Sequence, residues 1–162
     1  MLIATIADTH LPRGNRRLPE RCVELLRSAD MIVHAGDVST VETLDAMRAL
    51  GPPLHAVHGN VDCARLLGEL PGELCIAVGG ATVGVVHDAG PARGRLARMR
   101  RRFPDVDAVV FGHSHIPLHE RAGGFQIFNP GSPTERRRSL HHTMGLAHVA
   151  RGAIEFELVT LD

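Results

Sequence analysis

Asp, His and Asn recur directly after short apolar runs of this sequence, and this pattern limits both the fold and the position of a functional site. The runs Leu2–Ala7, Met31–Ala35 and Leu54–His58 have the length and composition of buried strands. The polar residues that follow these runs are Asp8 and His10, then Asp37, then Asn60 and Asp62. Ligands of open α/β sheets bind beyond the carboxyl ends of the strands. The sequence therefore predicts a polar site along one sheet edge.

Helical patterns separate these three runs and define the fold class. Leu18, Cys22 and Leu25 follow helical spacing and predict a helix ending near Ser28. A second helix is predicted after Ser39 or Thr40, either of which can cap it. Alternating strands and helices are typical of a parallel α/β unit.

The second half of the chain is predicted to be richer in strands. Glu73–Val78 and Ala81–His87 form a hairpin pattern, a helix follows around Leu96 and Met99, and Asp107–Phe111 is a further strand. His87 ends the fifth strand, and His113 and His115 follow the sixth. Four later strands are predicted at Leu118–Arg121, Phe125–Phe128, Thr143–Ala150 and Ala153–Val159. We expect these four to pair antiparallel in a second sheet.

Length and composition narrow the function classes. The 162 residues fit one domain spanning 1–162. The 18 basic and 18 acidic residues balance, so nucleic acid is not expected as a partner. No apolar run reaches the length of a membrane span or signal segment. Three widely spaced Cys predict a reduced, cytoplasmic protein without disulfides.

The polar residues after the strands have the chemistry of metal ligands. Carboxylates, imidazoles and an amide oxygen without thiolate suit Mn²⁺, Fe²⁺ or Zn²⁺. The candidates are Asp8, His10, Asp37, Asn60, His87, His113 and His115. One ion rarely takes so many protein ligands, but two ions do if a carboxylate bridges them. Such a pair can activate a water as the nucleophile.

These residues, in their order, resemble a known family. The segments are Asp8-Thr9-His10, Gly36-Asp37, Gly59-Asn60-Val61-Asp62, His87, Gly112-His113-Ser114-His115 and Asn129-Pro130-Gly131-Ser132. Together they resemble the calcineurin-like metallophosphoesterases, in particular the small YfcE-type phosphodiesterases, over roughly residues 1–149. The resemblance implies an α/β fold, a four-layered αββα sandwich with two mixed β-sheets.

The resemblance also implies roles for the ligand candidates. Asp8, His10 and His115 would hold a first metal. Asn60, His87 and His113 would hold a second, with Asp37 bridging the two. Asp37, Asn60 and His113 would carry catalysis. The implied cofactors are two divalent ions, Mn²⁺ first, with Fe, Zn, Ni or Co as alternatives.

The implied function is hydrolysis of a phosphodiester, in a small phosphate ester or nucleotide, by a hydroxide held between the metals. Three alternatives stay open: a phosphomonoesterase, a non-catalytic binding scaffold like a eukaryotic trafficking subunit of similar fold, and a mononuclear hydrolase of another ester. The natural substrate and association into a homo-oligomer are also open.

Two departures from the family pattern affect the mechanism. Val61 stands where the larger superfamily has a His that is thought to protonate the leaving group, so the acid is unassigned and good leaving groups should be favoured. Asp88 stands where the family usually has Gly, and it either orients His87 or belongs to a loop.

Other polar residues have plainer interpretations. Asp62 is expected to form hydrogen bonds near the site, and His34 and His58 are expected to be core or rim histidines. His141 and His142 are expected on the surface or in a strand, with an approach to the site from the second half of the chain as the alternative. The segment 93–102 predicts an amphipathic helix with a solvated Arg-rich side. For Arg136–Arg138, a phosphate-binding rim and a solvated loop are equally supported.

Overall fold

The computed structural model describes residues 1–162 and contains two five-stranded sheets. Along the first sheet the strands are β10 (Ala153–Thr160), β9 (Thr143–Ala150), β1 (Leu2–Ile6), β2 (Met31–His34) and β3 (Leu54–Ala56). Along the second they are β4 (Glu73–Val78), β5 (Ala81–Val86), β6 (Ala108–Val110), β8 (Phe125–Asn129) and β7 (Leu118–Ala122). Both sheets mix parallel and antiparallel pairs.

Four helices accompany the sheets: α1 (Glu20–Ser28), α2 (Val41–Arg48), α3 (Ala64–Glu69) and α4 (Arg95–Arg102). Thr40 caps α2 by accepting a hydrogen bond from the Thr43 backbone N–H, one of the two caps expected there. The sequence patterns did not predict α3. This helix has six residues and buries only Leu66, so it carries too few apolar positions to show a period.

The core is divided into layers. An apolar cluster that includes Ile3 and Val33 of one sheet and Val85 and Val110 of the other fills the space between the sheets. Buried side chains of α1 and α2 pack on the outer face of the first sheet, and Met99 of α4 packs on the outer face of the second. The order is helices, sheet, sheet, helix, so the αββα sandwich implied by the resemblance is confirmed.

The antiparallel pairing expected of the last four strands is confirmed for β7 with β8 and for β9 with β10, but the expectation is wrong in two other respects. β9 lies beside β1, with Leu2 opposite His148, so β9 and β10 extend the first sheet rather than the second. β8 pairs parallel with β6, with Val109 opposite Ile127. The first five residues of β9 are all buried, as suits an inner strand. Local patterns identify strands, but sheet membership depends on distant contacts that these patterns do not contain.

The parallel pairs set the position of the polar site. β1, β2 and β3 run parallel in one sheet, and β5, β6 and β8 run parallel in the other. Their carboxyl ends lie at one edge of the sandwich, where Gly112 N–H donates to the His87 carbonyl and Asp8 N–H donates to the Gly36 carbonyl. None of the four helices has the length and apolar surface that a membrane span requires.

Candidate metal centre

All seven candidate ligands meet at this edge, and Asp37 lies at the centre of them. Its Oδ2 atom is 3.6 Å from His10 Nε2 and 3.3 Å from His87 Nε2. Its Oδ1 atom accepts a hydrogen bond of 3.0 Å from the Val61 backbone N–H. One carboxylate oxygen thus faces histidines from both halves of the candidate site, as expected of a bridging residue.

The first group of donors consists of Asp8, His10 and His115. Their ligand atoms lie within 4.8 Å of one another, and all three residues are buried. The His10 and His115 Nε2 atoms are 3.1 Å apart, and His115 Nε2 is 3.6 Å from Asp8 Oδ1. These are the three residues expected to hold the first metal.

The second group is built around the Asn60 amide oxygen. This atom lies 3.0 Å from His87 Nε2 and 3.0 Å from His113 Nδ1. Asp8, Asp37 and His87 also offer ligand atoms within 4.8 Å of one another. Asp8 therefore reaches both groups, whereas the resemblance implied that role for Asp37 alone.

The backbone of the candidate ligands is unusual. Five of them adopt positive φ angles, which non-glycine residues seldom do. They are Asp8 (55°), His10 (46°), Asp37 (60°), His113 (70°) and His115 (59°). Such conformations cost free energy and tend to persist at functional sites. Here they occur where the chain must turn sharply after a strand while directing a side chain to the site.

Close backbone packing brings the loops together. A Cβ atom on Gly59 would lie 2.0 Å from Asp37 Oδ1 and 2.5 Å from the Asp37 backbone nitrogen. Only glycine permits this approach of the loop after β3 to the loop after β2. The Gly-Asn pair therefore places Asn60 beside Asp37.

Backbone carbonyls orient two of the histidines. His87 Nδ1 lies 2.8 Å from the Ala35 carbonyl, and His115 Nδ1 lies 2.8 Å from the Glu135 carbonyl. An imidazole that donates from Nδ1 presents a lone pair at Nε2, which is the usual arrangement in metal-ligating His. Ala35 and Glu135 were missed from the sequence because any residue type can supply a carbonyl.

The Asn-Pro-Gly-Ser segment ties the loops of the site to each other. Asn129 Nδ2 donates to the Gly112 carbonyl at 2.9 Å, beside His113. Ser132 Oγ donates to the Asp8 carbonyl at 2.8 Å, and Thr134 Oγ1 donates to the Thr9 carbonyl at 2.6 Å. The sequence analysis identified this segment but assigned it no role. In the structure it stabilises the loops that carry the candidate ligands.

Two acidic residues beside the ligands have structural contacts. Asp62 accepts hydrogen bonds from Ser39 N–H at 2.6 Å and from Gly59 N–H at 2.7 Å, which agrees with its expected role. Asp88 accepts a hydrogen bond from the Gly90 backbone N–H at 2.7 Å. Since the Ala35 carbonyl holds His87, Asp88 belongs to a loop turn.

The remaining histidines lie outside the donor groups, as expected from the sequence. His34 is a fully buried core residue beneath the site, with Nε2 3.0 Å from Thr9 Oγ1. His58 is half-buried at the rim of a cavity described below. His141 and His142 both contact the Asp162 carboxylate at 3.2 Å.

Burial and neighbouring charges shift the pKa values of the donors. Burial raises the pKa of Asp8 to about 7, with nearby Asp37 adding to the rise. Burial also lowers the pKa of His10, and lowers that of His115 to about 4. Burial opposes the charged forms of Asp37 and His87, but their contact outweighs it, so the pKa of Asp37 is lowered and that of His87 is raised. Such shifts cluster at functional sites.

The donor set fits divalent cations. The Oδ2 atom of Asp8 is buried and has no hydrogen-bond partner, which is rare for a carboxylate oxygen in a folded protein. It lies in the group in which the His10 and His115 Nε2 atoms face each other. Oxygen and imidazole donors without thiolate suit Mn²⁺, Fe²⁺ or Zn²⁺.

A cavity of about 850 Å³ adjoins the second group of donors. Asn60, His87 and His113 are among the residues that line it. Leu67 and the ion pair between Arg102 and Glu73, 2.8 Å apart, also line it. The cavity is large enough for a substrate group beside the donors.

The fold and the site together define a class: an αββα protein whose strand ends gather oxygen and nitrogen donors into a candidate metal centre. Comparison with known families is more specific. The sequence model of the calcineurin-like phosphoesterase superfamily domain matches residues 1–152, and the chain belongs to that family.

One curated relative agrees with this assignment, and two solved structures share the fold. A probable metallophosphoesterase of Methanocaldococcus jannaschii is 32% identical over 100% of this chain and 82% of that protein. Wild-type Vps29 of Entamoeba histolytica, solved with Zn²⁺, has a TM-score of 0.78 at 24% identity and covers 100% of both chains. A structure described as a novel archaeal phosphodiesterase has a TM-score of 0.73 at 17% identity, covering 98% of this chain and 100% of that one.

Proposed function

We propose that this protein is a metal-dependent phosphodiesterase whose seven candidate ligands hold two divalent cations. The observation that carries the proposal is the convergence of these donors around a buried carboxylate oxygen of Asp8 that has no partner. Asp8, His10 and His115 would hold one cation and Asn60, His87 and His113 the other, between the carboxylates of Asp37 and Asp8. Mn²⁺ is the proposed ion, and Fe, Zn, Ni and Co suit the same donors.

The cations would supply the positive charge that activates water near neutral pH and stabilises the phosphoryl oxygens in the transition state. The residues of the chain supply position. Asn60 lies beside His113 in the wall of the cavity, where it can donate its amide N–H to a phosphoryl oxygen while its carbonyl faces the histidines. In the overall reaction water adds to phosphorus and the bond to the leaving oxygen breaks.

One feature favours a diester over a monoester, and a second favours good leaving groups. The cavity of about 850 Å³ has room for a substituent beyond the reacting phosphate. Val61 has no proton to give, and this residue is 47% exposed at the position where the superfamily has a His. Val61 cannot protonate the leaving group, so aryl esters should react faster than alkyl esters. The archaeal phosphodiesterase of the same fold agrees with a diester as the substrate.

The test is a kinetic comparison of bis(4-nitrophenyl) phosphate with 4-nitrophenyl phosphate on Mn²⁺-loaded protein. We expect faster hydrolysis of the diester, loss of activity with chelator, and recovery on adding Mn²⁺. Asp37→Ala and His113→Ala should each lower kcat by orders of magnitude. His148→Gln, at an exposed His that contacts Glu157, is the matched control and should keep full activity. Full activity in either site variant would refute the proposal.

A further inference from the structure

One charged side chain beside the donors is not used by the reaction described so far. Arg137 lies in the loop after Ser132 and is exposed. It adopts a positive φ of 49°, like five of the candidate ligands. No hydrogen bond or ion pair within the chain engages its guanidinium. The neighbouring Arg136, by contrast, donates to the Leu140 carbonyl at 3.0 Å.

The loop that carries Arg137 is fixed to the first group of donors. Ser132 and Thr134 donate to the backbone of Asp8 and Thr9, and the Glu135 carbonyl accepts from His115. Three successive anchors therefore end two residues before Arg137. These bonds fix the backbone that leads to Arg137 against the first group of donors.

The charges around the donors agree with the position of this anchored loop. Burial raises the pKa of Asp8 and lowers that of His10 and His115, and the Arg137 charge lowers the pKa of all three. Arg13 and Arg16 lie nearby, but both contact the Glu135 carboxylate, at 3.8 and 3.3 Å. Arg137 has no such carboxylate partner, so its guanidinium remains free for a ligand.

The cavity lies beside the second group of donors, and Arg137 lies beside the first. We infer that Arg137 forms an anion subsite for a second phosphate group of the substrate, while the leaving group occupies the cavity. This inference rests on the proposed function for the position of the reacting phosphate. A guanidinium binds phosphate through paired N–H donors, which gives both affinity and orientation. The substrate class is therefore a phosphodiester that bears a further phosphate.

Two synthetic diesters test the subsite. Ethyl 4-nitrophenyl phosphate and its analogue with a phosphate on the second ethyl carbon release the same 4-nitrophenolate, so they differ only in the added anion. We expect a higher kcat/KM for the phosphorylated diester, by about tenfold. Arg137→Gln should abolish this preference and keep activity on the plain diester. Arg138→Gln, at an exposed neighbour, is the control and should keep the preference. An unchanged preference in Arg137→Gln would overturn the inference.

A binding measurement separates this inference from the proposed function. Ethane-1,2-diyl bisphosphate should bind Mn²⁺-loaded protein more tightly than ethyl phosphate in titration calorimetry. Arg137→Gln should weaken only the bisphosphate, by about tenfold. Arg137-dependent binding without hydrolysis of either diester would support the subsite and refute the phosphodiesterase. Equal binding of the bisphosphate by wild type and Arg137→Gln would overturn the subsite whatever the activity.

Discussion

The Nε2 atoms of His10 and His115 lie 3.1 Å apart, with the two rings stacked at 26° and their centroids 5.0 Å apart. His115 donates from Nδ1 to the Glu135 carbonyl, so its Nε2 atom presents a lone pair to His10. Burial lowers the pKa of both side chains, which keeps them uncharged near neutral pH. In the metal-free protein one shared proton satisfies both nitrogens, and a divalent cation can replace it.

Replacing His115 should therefore remove a metal ligand. We expect His115→Gln to weaken Mn²⁺ binding at one site by at least about tenfold, because loss of even a supporting contact of a ligand costs that much. His148→Gln changes the same residue type at a position 56% exposed and should bind Mn²⁺ like wild type. The measurement is a Mn²⁺ titration of both variants. Identical isotherms for His115→Gln and wild type would remove His115 from the ligand set.

Metal uptake should release protons at mildly acidic pH. The pKa of Asp8, about 7 in the metal-free site, and the raised pKa of His87 mean that both groups hold protons at pH 6. A cation must displace these protons, so its affinity should fall as the pH is lowered from 8 to 6. Calorimetry in two buffers of different ionisation enthalpy at pH 6 should detect more than one proton released per chain. Binding that is independent of pH and buffer would contradict this electrostatic description.

Gly59 should not tolerate a methyl group. The added Cβ of Gly59→Ala would overlap the Asp37 carboxylate and backbone, which must then move apart. We expect loss of Mn²⁺ binding and a decrease of about 1–3 kcal/mol in the free energy of unfolding. Gly68→Ala is the control, since a Cβ there meets no atom within 4 Å and Gly68 lies in α3. That change should stabilise the protein by about 0.5–1 kcal/mol. Urea unfolding of both variants measures these changes in stability. Equal free energies of unfolding for Gly59→Ala and Gly68→Ala would contradict the close packing of Gly59 against Asp37.

His34 should make the metal-free protein sensitive to acid. Burial lowers its pKa to about 3, below the 6.5 of an exposed His, so the unfolded chain binds a proton that the folded chain excludes. Its contribution to stability is therefore lost progressively as the pH falls from about 6.5 towards 3. We expect His34→Gln to be less stable than wild type at pH 8, by about 1–3 kcal/mol. The difference should shrink on acidification.

Urea unfolding of metal-free wild type and His34→Gln at several pH values measures this difference directly. Asp8 has a raised pKa and acts in the opposite sense, since it favours the folded state below about pH 4 and loses that contribution as the pH rises through about 7. Because both proteins contain Asp8, its effect cancels in the comparison. A stability difference that stays constant with pH would show that His34 does not titrate on unfolding.

The sequence predicted the location of the site better than the arrangement of the sheets. Asp8, Asp37 and His113 each follow a strand, and parallel strands end at a common edge, so a local pattern was enough to bring them together. The assignment of β9 and β10 to a sheet depended on pairs such as Leu2 with His148, far apart in the chain. No local periodicity contains that information.

The parts of the site that sequence patterns missed are mainly backbone contacts. The carbonyls of Ala35 and Glu135 orient His87 and His115, and their side chains give no sign of it. The sharing of Asp8 between both donor groups depends on distances of a few ångströms that strand assignments do not define. The helix α3 was missed because one buried Leu66 gives no period.

The most direct test of the metal centre is a crystal structure of Mn²⁺-saturated protein with anomalous data at the manganese edge. We predict two peaks per chain about 3.5–4 Å apart. Both should lie within coordination distance of Asp37, one beside His10 and His115 and the other beside Asn60 and His113. A single peak, or peaks away from these side chains, would contradict the dinuclear centre and the phosphodiesterase mechanism that depends on it.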